Sequence, residues 1–197
     1  MFTGIVRELG TVVSRQRAKR FDRLQIHAPA TAPGLRVGES VAVNGVCLSV
    51  VQVRQGTLTF EIIPETKRLT TLGQLASGDR VNLEPSLTLS DRLNGHLVLG
   101  HIDGVGRVVR VRKRAGEIAL EIRFDPGLRR YLAPKGPVAV DGVSLTVGTP
   151  LASNRLTIFL IPETMRKTTL GLRKAGDGVN LELDYVAKLV SQMVSRR

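Results

Sequence analysis

The feature of this chain that most constrains its fold is an internal repeat. Residues 41–50, VAVNGVCLSV, return as VAVDGVSLTV at residues 138–147, with seven of the ten positions identical at an offset of 97. Residues 63–73, IPETKRLTTLG, return as IPETMRKTTLG at residues 161–171, with nine of the eleven positions identical at an offset of 98. This period is far longer than a solenoid repeat. The sequence therefore predicts two tandem copies of one domain.

Each copy has the sequence pattern of a small β-barrel. Residues 24–27, 58–62 and 120–124 alternate apolar and polar side chains, which is typical of half-buried strands. Glycines recur between such segments at the spacing of a meander or barrel. Closing a six-stranded sheet into a barrel removes its edges. We therefore predict an all-β fold with two six-stranded barrels, one in residues 1–93 and one in residues 94–184.

The last residues, 185–197, follow a different pattern. Apolar residues recur there at i, i+3, i+4, i+7 and i+8, at Val186, Leu189, Val190, Met193 and Val194. This spacing predicts an amphipathic helix with a single apolar stripe. The stripe must be buried either on its own domain or on another subunit, and the sequence excludes neither.

Composition and charge exclude several classes of protein. No run approaches the roughly 20 apolar residues of a membrane span, and the N-terminus lacks the pattern of a signal peptide. The lone cysteine excludes an intramolecular disulfide and favours a reducing, cytoplasmic setting. The net charge is +12, but the basic residues are spread along the chain and tryptophan is absent. We therefore expect no nucleic-acid partner, and interpret the charge as a solvated surface with some attraction for anionic metabolites.

Two equivalent strands carry short hydrogen-bonding side chains beside a turn. Strand alternation places Cys47 and Ser49 on one face of the first strand, and Ser144 and Thr146 on the same face of the second. Such a face is either a polar outer surface or the wall of a pocket, and the pattern alone leaves both open. A pocket wall of this kind would suit a polar heterocycle or a polyol.

The copies differ at two positions inside otherwise matching blocks. Cys47 is replaced by Ser144, and Asn44 by Asp141. Two similar pockets with different chemistry would produce this pattern. Separately, the glycine-rich junction between the copies contains two histidines within six residues, at positions 96 and 101. Their place at the junction favours a functional role for this segment, because pockets often form at domain interfaces.

Several motifs together resemble a known family. They are MFTGIV at residues 1–6, NGVCLSV at 44–50, GH at 95–96 with GHIDG at 100–104, and the duplicated ETxRxTTLG. In combination they look like riboflavin synthase of the alpha-chain type, and the similarity covers essentially the whole chain. The resemblance implies two Greek-key barrels, and a homotrimer held together by the C-terminal helices. It leaves open an association with lumazine synthase, as in some relatives.

The resemblance also implies a reaction without cofactor or metal. Two molecules of 6,7-dimethyl-8-ribityllumazine dismutate, and one transfers a four-carbon unit to the other. The products are riboflavin and 5-amino-6-ribitylamino-2,4(1H,3H)-pyrimidinedione. Two identical substrates with opposite roles suit two related but unequal pockets. In the family, the active site lies between the N-terminal barrel of one subunit and the C-terminal barrel of its neighbour.

Matching the family motifs to this chain yields two expected pockets. The N-terminal pocket is expected to contain Thr3, Gly4, Ile5, Val6, Cys47, Leu48, Ser49, Ile62, Ile63, Pro64, Glu65 and Thr66. The C-terminal pocket is expected to contain Gly100, His101, Ile102, Lys135, Ser144, Leu145, Thr146, Ile161, Pro162, Glu163 and Thr164. By itself Lys135 would be interpreted as a surface lysine before a Gly-Pro turn, and only the resemblance makes it a substrate ligand.

The resemblance further implies catalytic roles for Cys47, His101, Ser144 and Thr146. His101 would assist proton transfer, whereas Cys47 or Ser40 would activate the nucleophile, taken to be water, that attacks the acceptor lumazine. The chain departs from the family at Ser49, where threonine is more usual. It departs again at position 94, where asparagine replaces a more usual glycine. Both changes leave the reactive groups in place.

A non-catalytic protein is the main alternative. Lumazine proteins share the duplicated fold but bind a lumazine or flavin as a chromophore, and their C-terminal pocket is degraded. In this chain the residues expected in that pocket, Lys135, Asp141, Ser144 and Thr146, are all present. The enzyme is therefore the favoured interpretation.

Overall fold

The computed structural model describes residues 1–114, 117–148 and 154–194. The first copy contains β1 (Glu8–Gln16), β2 (Asp22–His27), β3 (Ser40–Val43), β4 (Val46–Arg54), β5 (Thr57–Ile62), helix α1 (Pro64–Leu69) and β6 (Arg80–Pro85). The second copy contains β7 (Gly104–Arg114), β8 (Glu117–Arg123), β9 (Pro137–Val140), β10 (Val143–Thr146), β11 (Arg155–Leu160), helix α2 (Pro162–Lys167) and β12 (Gly178–Leu183). Helix α3 (Tyr185–Val194) follows the second copy.

Each copy folds into a six-stranded antiparallel barrel with the same strand order. In barrel 1 the order β1-β2-β5-β4-β3-β6 closes, because β6 pairs back with β1. Barrel 2 follows the equivalent order β10-β9-β12-β7-β8-β11. It is nearly closed, with β10 and β11 side by side and residues 149–153 between them outside the described part. The predicted pair of six-stranded barrels is confirmed.

The cores follow from the alternation seen in the sequence. In β2 the side chains of Leu24 and Ile26 point inward, and in β5 those of Leu58, Phe60 and Ile62 do the same. The intervening polar residues point outward, as the two-residue period of a strand requires. Each copy therefore has its own apolar core, and the core of the second copy includes residues of β7, β8 and β11.

The barrels meet through a reciprocal network of buried polar groups. The side-chain amide of Asn82 donates to the backbone carbonyl of Asp141 at 2.9 Å, and that of Asn180 donates to the carbonyl of Asn44 at 2.8 Å. Within each barrel, the same residues are linked again: the backbone amide of Asn82 donates to Oδ1 of Asn44, and that of Asn180 donates to Oδ1 of Asp141, each at 2.8 Å. The two copies are therefore related by a pseudo-two-fold axis.

This network corrects one prediction. The Asn44 and Asp141 difference was interpreted as a difference between two pockets, but both side chains are buried at the contact between the barrels. Asp141 forms an ion pair there with Arg173, whereas the equivalent residue in barrel 1 is Leu75. At this contact barrel 2 therefore has a charged pair, Asp141 and Arg173, where barrel 1 has the neutral residues Asn44 and Leu75.

The repeated ETxRxTTLG block forms a short helix followed by a 3-10 turn in both copies. Helices α1 and α2 begin at Pro64 and Pro162, so Thr66 and Thr164 lie in their first turn. Proline suits this position because the first amide of a helix has no intrahelical partner. Each block places its first turn at the end of the preceding strand, β5 or β11.

The predicted C-terminal helix is present as α3, and residues 195–197 lie outside the described part. Its stripe remains exposed on the single chain: Val186 is 58% accessible, Val190 53% and Met193 73%. An ion pair between Lys188 and Asp103, with Nζ and Oδ2 2.8 Å apart, tethers the helix to barrel 2. Among the described helices, none has the length and apolar character needed to cross a membrane.

Candidate functional site

Two extended arms cross between the barrels. Arm 1 comprises residues 2–6, and arm 2 comprises residues 98–102. Phe2 and Val98 exchange backbone hydrogen bonds, with the amide of Phe2 2.7 Å from the carbonyl of Val98 and the reverse pair at 3.1 Å. Both side chains are fully buried in a small cluster between the barrels. The arms therefore leave this central pair in opposite directions, each toward one barrel.

A buried glutamate holds each arm. The carboxylate of Glu84 accepts from the amides of Thr3 and Gly4 at 2.7 and 3.0 Å, and also from the Thr3 hydroxyl at 2.9 Å. The carboxylate of Glu182 accepts from the amides at residues 99 and 100, at 2.7 and 2.9 Å. Burial raises the pKa of both glutamates, and the donated hydrogen bonds partly oppose that rise. Each glutamate is thus an anchor that fixes its arm.

In each arm, a glycine packs closely against a strand of the barrel formed by the other copy. The amide of Ser144 in β10 donates to the carbonyl of Gly4 at 2.8 Å, and the amide of Cys47 in β4 donates to that of Gly100 at 2.9 Å. Gly4 and Gly100 have φ angles of +76° and +82°. A Cβ on Gly100 would lie 2.5 Å from the Cys47 Cβ, so only glycine fits.

A cavity of about 350 Å³ lies where arm 1 meets barrel 2. This volume is within the range of small-molecule sites. The lining residues come from arm 1, β10 and α2: Gly4, Ile5, Val6, Arg7, Val143, Ser144, Glu163, Thr164, Lys167 and Thr168. We call this space the arm-1 cavity. It combines apolar walls with hydroxyls and with the Glu163–Lys167 ion pair, whose Oε1 and Nζ atoms are 2.7 Å apart.

The equivalent region of barrel 1 surrounds arm 2. Ile102 packs against the core of barrel 1, while the side chain of His101 is exposed and that of Cys47 is half-buried. On the adjacent strands, Ser40 pairs with Ser49 across β3 and β4. Residues 62–66 span the end of β5 and the start of α1, in the position that residues 160–164 occupy in barrel 2.

The structure therefore corrects the grouping of the predicted residues. The family resemblance predicts that residues 3–6 accompany Cys47 and that residues 100–102 accompany Ser144. The structure shows the reverse, since arm 1 lies against Ser144 and α2, and arm 2 lies against Cys47. The repeat in the sequence could not reveal this arrangement. Arm 1 belongs in sequence to the first copy but packs against barrel 2, and arm 2 belongs to the second copy but packs against barrel 1.

Several other predicted residues lie at the same end of barrel 2. Thr146 is exposed at the end of β10, and Leu145 packs partly against the core. Lys135 is exposed, with a φ angle of +67°, and its amide donates to the carbonyl of Val147 at 2.9 Å. Ile161 is 63% accessible just before α2, next to the first helical residue, Pro162.

His96 is a residue at this site that the predicted set omitted. Its Nδ1 lies 2.7 Å from the hydroxyl oxygen of Ser144, and its amide donates to the carbonyl of Thr3 at 3.2 Å. Burial lowers the pKa of this imidazole, and the charge of Asp184 partly opposes the shift. The available signal was the pair of histidines at the junction, of which only His101 entered the predicted set. Its contact with Ser144, however, depends on the crossing of the arms.

Comparisons with known proteins fit this geometry. A family model described as the lumazine binding domain matches the chain twice, over residues 3–86 and 99–184. The riboflavin synthase of Mycobacterium bovis is 42% identical over 198 residues, covering 98% of both chains. That of Escherichia coli is 38% identical over 198 residues, covering all of this chain and 92% of the relative. The chain belongs to the riboflavin synthase family.

Solved structures agree on the fold. LumP complexed with riboflavin superposes with a TM-score of 0.87 at 24% identity, covering 93% of this chain and 99% of LumP. LumP complexed with flavin mononucleotide has a TM-score of 0.83 at 25% identity, with the same coverage. The tandem barrels therefore have the LumP fold, while the sequence relationship is to riboflavin synthases.

Proposed function

We propose that this chain is a riboflavin synthase that converts two molecules of 6,7-dimethyl-8-ribityllumazine into riboflavin and 5-amino-6-ribitylamino-2,4(1H,3H)-pyrimidinedione. The observation that carries the proposal is the presence of two lumazine-binding domains in one chain that is up to 42% identical to riboflavin synthases over nearly its full length. The four carbon atoms that one lumazine loses are those that the other gains, so the reaction balances without an oxidant or reductant.

The two barrels supply one lumazine site each in this proposal. One site combines arm 1 with barrel 2, and its ligands are residues 3–6, Lys135, Ser144, Leu145, Thr146 and residues 161–164. The other combines arm 2 with barrel 1, and its ligands are residues 100–102, Cys47, Ser49 and residues 63–66. Leu48 and Ile62 contribute to this site through their main chain, because their side chains lie in the core of barrel 1. The arm-1 cavity supports the first site, because arm 1, β10 and α2 all line it. The second site is supported by the pseudo-two-fold relation.

The chemical difference between the sites suits donor and acceptor roles. A half-buried thiol at position 47 and a hydroxyl at position 144 occupy equivalent strand positions. We propose that Cys47 or Ser40 activates the attacking water on one lumazine, and that Ser144 and Thr146 bind the other. His101 is exposed on arm 2 beside Cys47, where it can assist removal of the proton from the C7 methyl group. Most of the acceleration comes from holding two substrates face to face.

Oligomerisation completes the proposed active site. The apolar stripe of α3 is exposed on the single chain, and burying apolar surface of this kind favours association. We propose a homotrimer in which the α3 helices pack together and barrel 1 of one subunit faces barrel 2 of its neighbour. Donor and acceptor lumazines then stack across that interface. We place the enzyme in the cytoplasm, in line with its lone cysteine.

The proposed reaction is tested by incubating the purified protein with 6,7-dimethyl-8-ribityllumazine alone and measuring riboflavin formation by absorbance. We expect one riboflavin for every two lumazines consumed. Replacing His101 by glutamine should slow turnover by about 100-fold, a typical contribution of an acid–base group. The matched control is His27→Gln, which changes an exposed histidine on the outer face of barrel 1 and should have no effect. Tight binding without turnover would instead identify a chromophore carrier.

A further inference from the structure

Barrel 2 carries a dense cluster of arginines on its outer surface. Strands β7, β8 and β11 alternate between core residues and outward side chains, and five of the outward side chains are exposed arginines. We call this surface the arginine face and define it by Arg107, Arg110, Arg112, Arg123 and Arg155. Neighbouring strands are about 4.8 Å apart, so these arginines project from adjacent positions of one sheet surface. Two of them also have a partner within the protein: Nη1 of Arg107 donates to the carbonyl of Gly176 at 2.8 Å, and Nη1 of Arg155 lies 2.9 Å from Oε1 of Glu121.

Strand register brings three of these arginines into one row. Arg107 in β7 pairs with Arg123 in β8, which pairs on its other side with Arg155 in β11. Like charges directly opposite each other destabilise a sheet. In the next row Arg110 lies opposite Glu121, whose carboxylate Oε1 is 2.9 Å from Nη1 of Arg155. These two rows together carry four positive charges and one negative charge.

Barrel 1 provides an internal reference for this surface. The row equivalent to the three arginines consists of Thr11, His27 and Thr57, which pair across β1, β2 and β5. The second row consists of Ser14, Gln25 and Thr59. Since both barrels have the same topology and register, the fold does not require charge at these positions. The arginine face is therefore a property of barrel 2 alone.

The sequence analysis expected no nucleic-acid partner because the basic residues are spread along the chain, but strand register gathers several of them on one surface. We propose that the arginine face binds the phosphate backbone of single-stranded nucleic acid. A polyanion relieves the repulsion within the row, and arginine suits phosphate because its planar guanidinium donates two hydrogen bonds at once. All five residues that define the face are arginines. A second copy of this face is a poor occupant, since it would bring two rows of arginines together.

An exposed aromatic ring favours single strands over duplexes. Phe159 in β11 is 47% accessible and lies on the same outer face, where it pairs across the strands with Ala119, next to Arg112. Bases of a single strand are free to stack on such a ring, whereas those of a duplex are not. The equivalent residue of barrel 1 is Glu61, which forms an ion pair with Arg23.

The test measures binding of a labelled oligothymidylate of about 16 nucleotides by fluorescence anisotropy, across a series of salt concentrations. We expect salt-sensitive binding by the full chain. The variant Arg107→Thr/Arg123→His/Arg155→Thr copies the barrel 1 residues onto barrel 2. At pH 8 and low salt its dissociation constant should rise about tenfold or more, and the slope of log K against log salt should fall by about two.

A matched variant controls for total charge. Arg17→Gln/Arg36→Gln/Arg54→Gln removes three exposed arginines of barrel 1 and should bind the oligonucleotide nearly as well as the native chain. Both triple variants should stay folded and keep the native rate of riboflavin formation. The variant that removes the row should be at least as stable as the native chain, because the repulsion between its like charges is gone. Equal binding by the two variants would overturn the proposal. So would a native chain that binds polyaspartate or anionic vesicles and leaves the oligonucleotide free.

Discussion

Arg173 donates to the buried carboxylate of Asp141, with Nη2 2.6 Å from Oδ2, at a position where barrel 1 has Leu75 and Asn44. The carboxylate is inaccessible to solvent, and burial raises its pKa even though Arg173 opposes the rise. The contact between the barrels therefore has a charged pair on the side of barrel 2 and neutral residues on the side of barrel 1. Such an ion pair contributes only when both partners are present.

Removing one partner of that pair should be costly, and removing both should not. Replacing Arg173 by leucine leaves a buried charge without its partner, so we expect a loss of about 3 kcal/mol in unfolding free energy. Adding Asp141→Asn reproduces the barrel 1 solution and should restore stability to within about 1 kcal/mol of the native chain. Urea unfolding of the two variants measures the difference. A double variant as unstable as the single one would contradict this interpretation.

The close approach of arm 2 to β4 leads to a second prediction, about the unfolding free energy of glycine variants. A Cβ on Gly100 would collide with Cys47, so Gly100→Ala should lower the unfolding free energy by about 3 kcal/mol or more through strain and displacement of the arm. Gly38 also has a positive φ, of +93°, but a Cβ there meets no atom within 4 Å. Gly38→Ala should therefore cost only about 1 kcal/mol. Equal losses would argue against the contact.

The contact between His96 and Ser144 should appear in the pH dependence of stability. Burial lowers the pKa of His96 below its ordinary value of 6.5, so the unfolded chain binds the proton more readily than the folded one. The contribution is complete above pH 6.5 and is lost as the pH falls below that value. His96→Gln should flatten this part of the profile between pH 7 and pH 5. An unchanged slope in the His96→Gln variant would contradict this interpretation.

The exposed stripe of α3 predicts how assembly can be broken. Val190→Asp places a charge in the middle of the stripe, so sedimentation velocity should show a shift from the proposed trimer toward monomers. Gln192→Asp adds the same charge on the polar side of the helix and should leave assembly intact. Riboflavin formation should fall with the first variant alone if the active site spans two subunits. Trimers formed by both variants would show that another surface holds the assembly.

The sequence by itself determined the parts of this protein that depend on local pattern. The repeat predicted two copies of one domain, and the alternation in segments such as residues 58–62 predicted strands whose inward faces form the cores. The stripe in residues 185–194 predicted α3. These inferences succeed because side-chain direction in strands and helices follows from backbone periodicity alone. The domain boundary at residues 93 and 94 and the individual site roles stay predictions.

Only the tertiary structure decided which segments meet. Gly4 lies against Ser144 and Gly100 against Cys47, although the repeat pairs each arm with its own copy. Arg107, Arg123 and Arg155 are separated by 16 and 32 positions in the chain, yet they form one row. The glycine contacts depend on the crossing of the arms, and the arginine row depends on strand order and register. These contacts join residues far apart in sequence, so no local period records them.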